Sequence, residues 1–329
     1  MDMGMGNGLP PLIERAVEAA TRAPSAYNTQ PWRFLIDGDR IDVVLDRARV
    51  LGVADPDARE ARLSCGAAVF NLCVSLRANG RRAPVRLLPD RLQPDLLAAI
   101  TIEGEHEPSA ADHALGKAVP RRHTNRRPFF ERAVPAHARR ELDKAAAASG
   151  ARLALIEASA RYDAIAVLTR RAEHIQATDE RFQAETEYWT GRPAGHTDGV
   201  PAHAAGPPPD PDGALRLRPF RGGETLPARP YEQQPLLAAL LTTAPGPRAE
   251  IQAGMALQHV LLTATTLGLA ASFLSQPLEV PATCRAVADL FRAEGTVHAL
   301  LRIGYGHPAA PIPRRPVAEV VTVRDNTRR

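Results

Sequence analysis

The stretch Ala23-Pro24-Ser25-Ala26-Tyr27-Asn28-Thr29-Gln30-Pro31-Trp32-Arg33-Phe34 joins a helical pattern to an alternating apolar one. Before it, Leu12, Ala16, Val17 and Ala20 recur at helical spacing, which predicts a helix from Leu12 to Ala23. Pro24 ends that pattern, because it lacks an amide hydrogen and restricts the residue before it. After Trp32 the chain reads as strands. Ser25, Asn28 and Gln30 therefore fall at a helix-to-strand junction, where short polar side chains and unpaired backbone groups can meet a polar, ring-bearing ligand. Taken alone, the same residues also make an ordinary turn.

A second polar cluster lies about a hundred residues on, in Arg121-Arg122-His123-Thr124-Asn125-Arg126-Arg127. A basic run is usually a solvated face, but guanidinium groups also hold phosphate through paired, charge-assisted hydrogen bonds. Pro24, Ser25, Asn28, Gln30, Pro31, Trp32 and Phe34 stand in the order and spacing of the flavin-contacting segment of FMN-dependent nitroreductases, and the chain resembles that superfamily. Arg122-His123-Thr124-Asn125-Arg126 is similar to the superfamily's phosphate-binding Arg-x-Ser-x-Arg, with Thr124 in the serine place and Phe129 one residue later than the usual aromatic.

The two motifs occur in the reverse of the superfamily's order. A duplication explains the inversion: Gly66-Ala67-Ala68-Val69-Phe70-Asn71-Leu72 through Gly80 aligns without gaps on Gly254-Met255-Ala256-Leu257-Gln258-His259-Val260 through Gly268. Each copy reads as a helix ending in glycine. Each is then expected to continue as a strand, a helix and a second strand: Val85 to Leu88 and Ile100 to Ile102, then Ala270 to Leu274 and Val297 to Ile303. The fold class expected is α+β, two nitroreductase-like halves with mainly antiparallel sheets and central helices, over residues 10–120 and 121–329. The first half keeps the Pro-Ser segment and the second keeps the arginines, so one composite site is expected between them. This arrangement resembles the Acg-like branch of fused, FMN-binding relatives, over roughly Pro10 to Val323.

The resemblance implies FMN as cofactor, NADPH or NADH as electron donor and a small-molecule acceptor. It also implies further contacts. Pro313-Arg314-Arg315-Pro316 matches a basic segment that reaches the flavin phosphate, through Arg314 or Arg315, with Arg302 and His307 as weaker candidates. Ser275-Gln276-Pro277 occupies the place of a Glu-Gly pair that lies against the reactive edge of the flavin, and a glutamine where glycine is usual crowds that face. No side chain need act as acid or base. Three functions follow: an FMN-dependent oxidoreductase, an FMN-binding, flavin-sequestering protein with little turnover, or, as the weakest, a structural or regulatory module with an empty site. The fusion implies a monomeric pseudo-dimer, with a homodimer of fused chains as the alternative.

Composition excludes other classes. The chain has 329 residues, 44% hydrophobic, with a formal net charge of +4, enough apolar content for a substantial core and too little charge to signal nucleic acid. Cys65, Cys73 and Cys284 have neither disulfide nor metal spacing, which suits the cytoplasm, and the first two read as packing residues. Gly4-Met5-Gly6 follows no strand, so the N-terminus reads as a frayed tail and not as a dinucleotide loop. The helix expected over Ile251 to Leu267 carries Gln252, Gln258 and His259, which fit a buried helix better than a membrane span. Ala158 to Trp189 reads as one long amphipathic helix bearing Tyr162, Ile165, Leu168, Ile175 and Phe182, and its Glu173-His174 lacks a partner for metal. The segment 191–235 is crowded with proline and glycine and reads as a lid, a binding loop or disorder, with disorder favoured for Gly199 to Gly213. As a lid it would bring Leu215, Leu217, Phe220 and Tyr231 over the flavin.

Overall fold

The computed structural model describes residues 9–193, 195–208, 215, 217–220 and 235–324. The first part of the chain forms α1 (Pro11–Thr21), β1 (Trp32–Asp37), β2 (Arg40–Leu45), α2 (Arg59–Ala78), β3 (Arg81–Arg82), β4 (Val85–Leu87), β5 (Leu96–Thr101), β6 (Glu103–Glu105) and α3 (Ala110–Ala118). There follow α4 (Ala136–Ala148), β7 (Arg152–Ile156), α5 (Ala160–Thr178), α6 (Glu180–Trp189), β8 (Thr190–Arg192), β9 (Val200–Pro201), β10 (Leu236–Thr242) and α7 (Pro247–Thr266). The chain ends with β11 (Ala270–Phe273), α8 (Gln276–Glu279), α9 (Pro281–Leu290), β12 (Thr296–Gly304), α10 (Val317–Val320) and β13 (Val321–Val323).

Two sheets carry the fold, ordered β13-β1-β2-β5-β4 and β11-β12-β10-β7. Counted from its own first strand, each runs in the same sequence, β1-β2-β5-β4 and β7-β10-β12-β11, with every one of these pairings antiparallel. Each also shows a register shift in its central pairing, at Val43/Val44 and at Leu240/Leu241. Their burial differs. The first sheet packs one face on α1 and α2, so β1 alternates between core and surface residues. The second is covered on both faces, and β10, Leu236-Leu237-Ala238-Ala239-Leu240-Leu241, is buried throughout. Leu236, Ala238 and Leu240 meet α4 and α7, while Leu237, Ala239 and Leu241 meet α5 and α9. Such double burial is why this strand is a continuous apolar run and not an alternating one.

Between the sheets, α2 crosses α7 at the glycines that the sequence alignment pairs. A Cβ on Gly66 would lie 2.1 Å from the Ile251 carbonyl oxygen, and one on Gly254 would lie 2.0 Å from that of Leu63. Neighbouring contacts repeat about this point: Phe70 stacks on His259 at 4.8 Å, and Gln258 Nε2 donates to Asn71 Oδ1 at 2.6 Å. Arg62 and Glu250 close the crossing with an ion pair.

The chain also crosses between the sheets twice. The 122–126 segment leaves the first sheet and lies beside β11, where Thr124 bridges Ala271 in parallel. At the C-terminus β13 returns and pairs in parallel with β1, Phe34 opposite Val321.

Several expectations need correction. No helix forms between β4 and β5, because Asp90 closes a turn by accepting from Leu92 N at 2.9 Å and Pro94 has no amide hydrogen to continue one. The long helix expected over Ala158 to Trp189 breaks at Asp179, whose Oδ1 caps α6 by accepting from Arg181 N and Phe182 N. That break takes Phe182 out of the core face of α5 and packs it beside Tyr27. Gly199 to Pro208 contains β9 and one tight helical turn in place of disorder. The remainder of that stretch, Tyr231 and the Gly4-Met5-Gly6 tail lie outside the described residues.

Replacing Gly254 by Ala would recover about 1 kcal/mol of helix propensity. Overpacking against a backbone carbonyl costs about 1–3 kcal/mol or more and has no rotamer to relieve it. Gly254→Ala should therefore lower the unfolding free energy measured in denaturant, and a variant of wild-type stability would contradict the close crossing.

Candidate functional site

Three residues of the Pro24–Pro31 turn, Tyr27, Asn28 and Gln30, have φ of 48°, 58° and 53°. Left-handed backbone at three non-glycine positions persists only where surroundings over-determine it. Here they do. Gln30 N donates to Ser25 Oγ at 3.0 Å, closing the turn on itself. Asn28 Nδ2 donates to Gly199 O at 3.0 Å and to Pro313 O at 3.2 Å. Gln30 Nε2 donates to Thr197 O at 2.8 Å, and its Oε1 accepts from Arg315 N at 2.8 Å. Asn28 and Gln30 thus clamp two distant backbone segments onto the turn, while Pro24, Ser25, Ala26 and Tyr27 line a cavity.

That cavity lies between the Pro24–Tyr27 turn, α2 and the second sheet, whose Ser272, Phe273, His298, Ala299 and Leu300 line it. Glu60, Leu63 and Ser64 of α2 form one wall, and Thr124, Arg126, Ser275 and Gln276 come from the other side. Leu217, Arg218 and Phe220 of the proline-rich segment complete the enclosure, with Leu217 anchored among the buried residues of the second sheet. Of the sequence-predicted residues, Pro24, Ser25, Thr124, Arg126, Ser275 and Gln276 meet at this cavity, and Asn28, Gln30, Arg122, Arg314 and Arg315 do not line it.

The arginines beside it are sorted by their partners. Arg122 Nη2 donates to Arg22 O at 3.1 Å and Arg314 Nη2 to Ala23 O at 3.3 Å, so both guanidiniums reach the backbone just before Pro24. Nε of each is buried with no partner, and neither meets a carboxylate among the described residues. Burial, with Arg126 alongside, pushes Arg122 down to about 10. Burial and then the charges of Arg122, Arg22 and Arg126 push Arg314 down to about 9. Arg126 is pushed down to about 10 by burial and Arg218, and its guanidinium lies 4.6 Å from the centre of the Phe220 ring. Arg315 is different: it meets Glu319 at 3.5 Å and donates to Glu319 O at 2.9 Å. Buried cations without counter-charge are expensive unless an anion joins them. Arg122 and Arg314 form such an anion-seeking pair.

Arg302 and His307 serve the backbone of this segment. Arg302 is 1% exposed and donates to Arg127 O at 2.8 Å, while His307 O accepts from Asn125 Nδ2 at 2.8 Å. Asn125, which the sequence reading passed over, also fixes the loop by donating its own N–H to Ala271 O at 2.9 Å. Cys65 and Cys73 are buried free thiols, pushed up by burial, with Cys65 Sγ donating to Pro31 O at 3.2 Å. No group of metal-binding side chains forms among the described residues.

A network that sequence reasoning did not find lies on the opposite wall. Arg218 forms a buried ion pair with Glu279 and hydrogen-bonds the Tyr27 hydroxyl, which contacts Thr186 Oγ1 at 3.1 Å. Gln176 Nε2 adds a bond to Glu279 at 2.8 Å. Burial opposes the Arg218 charge, but Glu279 and Tyr27 outweigh it and raise Arg218 above its usual range. Burial also pushes the Tyr27 hydroxyl up, so it stays protonated. The only signal was a charged residue at 279 between the apolar Leu278 and Val280.

Because Glu279 is left buried without its cation in Arg218→Met, that variant should lose about 3–5 kcal/mol of unfolding free energy. Adding Glu279→Gln should restore part of the loss, and additive losses in the double variant would contradict the pair.

No family model matches the chain. A Mycobacterium tuberculosis protein named "Putative NAD(P)H nitroreductase" is 36% identical over 317 residues, covering 94% of this chain and 90% of its own length. A second from that organism, "Putative NAD(P)H nitroreductase acg", is 30% identical over 321 residues, covering 95% of this chain and 96% of its own. The crystal structure of the FMN-dependent nitroreductase NfnB from Mycobacterium smegmatis in complex with NADPH aligns with 66% of this chain and 100% of its own, at 15% identity and a TM-score of 0.40. With two relatives matched from end to end at such identity, the chain belongs to the nitroreductase family that includes the acg protein.

Proposed function

We propose that this chain is an FMN-dependent oxidoreductase of nitroreductase type, holding one flavin in a composite site between two halves of a duplicated chain. The observation that carries the reading is the pair of guanidiniums of Arg122 and Arg314 beside Pro24, each with a buried, unpartnered Nε and no carboxylate among the described residues, at the edge of a cavity lined by Ser25, Thr124, Ser275 and Gln276. These residues fit FMN. Arg122 and Arg314 would hold its phosphate, with Arg126 and Thr124 toward the cavity, and Pro24 to Tyr27 would face Ser275 and Gln276 across the rings.

FMN supplies the electron or hydride transfer when bound. The chain binds and orients it, and Leu217, Arg218 and Phe220 limit water and large molecules at the cavity. Asn28 and Gln30 act one step back, by fixing the turn and the Pro313–Arg315 segment. Of the two C-terminal arginines, Arg314 is the phosphate candidate, since Arg315 is engaged by Glu319.

The strand order common to both sheets and the Gly66–Gly254 crossing support the duplicated halves, 10–120 and 121–329, and a monomeric pseudo-dimer in solution. Buried reduced thiols suit the cytoplasm. NADPH or NADH would be the donor and a small molecule the acceptor. A second reading, flavin sequestration with little turnover, is favoured by one observation: the Arg218–Glu279 ion pair pins the enclosing segment over the cavity.

Arg122→Ala and Arg314→Ala should each weaken FMN binding more than tenfold, the loss of about 1.5–3 kcal/mol per charged hydrogen bond. Arg315→Ala should weaken it less. Full affinity in both of the first two variants would sink the phosphate assignment. Anaerobic addition of NADPH, then NADH, to the flavin-loaded protein should bleach the oxidised-flavin absorbance; persistent absorbance that dithionite still removes would favour sequestration.

A further inference from the structure

The cavity also carries polar side chains to which the phosphate assignment gives no role. Glu60 from the first turn of α2, Glu279 from α8 and His298 from β12 all line it. They are 7%, 9% and 2% exposed, so each polar group depends on protein or ligand partners. Their partners are unequal. Glu279 has Arg218 and Gln176, although its Oε1 is buried with no partner among the described residues. Glu60 has Arg59 Nη2 at 3.3 Å, a guanidinium it shares with His298 O at 3.0 Å and Leu278 O at 3.5 Å. His298 gives Nε2 to Thr242 Oγ1 at 2.6 Å and leaves Nδ1 buried and unpartnered among the described residues.

Two buried carboxyls facing one cavity do not both ionise readily. Glu279 is matched closely by Arg218 and Gln176, whereas Glu60 has only the longer contact with Arg59, which also serves two carbonyls, so the proton belongs on Glu60. Burial and then the Glu279 charge push Glu60 up to about 8. The other groups facing it are Arg59 beside it on α2, Asp55 in the preceding loop, and Arg218 and Tyr27 from the two enclosing segments. Burial, with Arg59 nearby, pushes His298 down to about 4, so the imidazole is neutral.

We propose that Glu60 is a specificity-determining residue of this cavity, a neutral carboxyl that donates its O–H to an uncharged acceptor oxygen such as a quinone carbonyl or a nitro group. This rests on the cavity being the seat of a small-molecule electron acceptor. The unpartnered His298 Nδ1 marks these side chains as built for a ligand. An ionised Glu60 has no proton to donate and repels the oxygen's lone pairs, so recognition fails as pH rises through its titration.

Calorimetric titration of the oxidised protein as purified, with menadione as probe and no electron donor, tests this at about pH 6.5 and about pH 9, on either side of the Glu60 value. Wild-type protein should bind about tenfold more weakly at the higher pH. Glu60→Gln, which keeps a neutral donor, should bind alike at both, and Glu60→Ala should bind weakly at both. PH-independent wild-type binding, the wild-type dependence persisting in Glu60→Gln, or no wild-type binding at the lower pH would overturn the proposal. An infrared carboxylic-acid C=O band should also be present in wild type at the lower pH, with or without FMN, and absent from Glu60→Gln. If wild type lacks that band, neutral Glu60 fails while the flavin reading stands; if the band is present in a protein that binds no FMN, the flavin reading fails instead.

Discussion

The close crossing of α2 and α7 at Gly66 and Gly254 is the constraint on which the rest depends. Backbone meets backbone there, with room for no side chain at either glycine. That distance brings the start of α2, with Glu60, Leu63 and Ser64, to the same cavity as Leu257 of α7. It also sets how far apart the two sheets stand, because each sheet packs on one of these helices. A wider crossing would separate the cavity walls and break the Phe70–His259 and Asn71–Gln258 contacts together.

Charge then divides the side chains at and beside the cavity into two unlike groups. In one, beside the cavity, Arg122 and Arg314 hold backbone carbonyls and meet no carboxylate among the described residues, an arrangement that gains most from an added anion. In the other, Glu279 has Arg218 as its own cation and Glu60 has Arg59, while burial and the Glu279 charge push Glu60 up. The chain crosses between the sheets once through 122–126 and again through the strand after Arg315. Asn28 and Gln30 fix the approach to the second crossing with side-chain amides, which ties the turn's strained backbone to the position of Arg314.

Much of this was legible in the sequence. The gapless match of Gly66 on Gly254 located the central helices because a close crossing tolerates no side chain, a requirement written directly in residue identity. The strands β11 and β12 were readable from apolar runs, and the turn at Pro24 from its chemistry, whereas β10 was not foreseen. What escaped notice depends on tertiary partners. Asp179 splits a continuous amphipathic pattern because its side chain caps the next helix, and periodicity does not register a single cap. Asn28 and Gln30 look like ligand contacts in sequence, and the structure adds bonds from Asn28 Nδ2 and the Gln30 amide to backbone of residues 197–199 and 313–315, while Asn28 Oδ1 is buried with no partner among the described residues. Glu60 and Arg218 gave no local signal, since their roles come from each other's neighbourhood, and Arg314 separates from Arg315 only once Glu319 is placed beside the latter.

The central claim is one composite site per chain, made from both halves. Titrating flavin-free protein with FMN and counting bound flavin against chains tests it most directly, with solution mass measured on the same sample. The account predicts one FMN per chain, bound to the monomer. Two per chain would mean that each half builds its own site, and one per pair of chains would mean that the site forms only between separate molecules; either would contradict it.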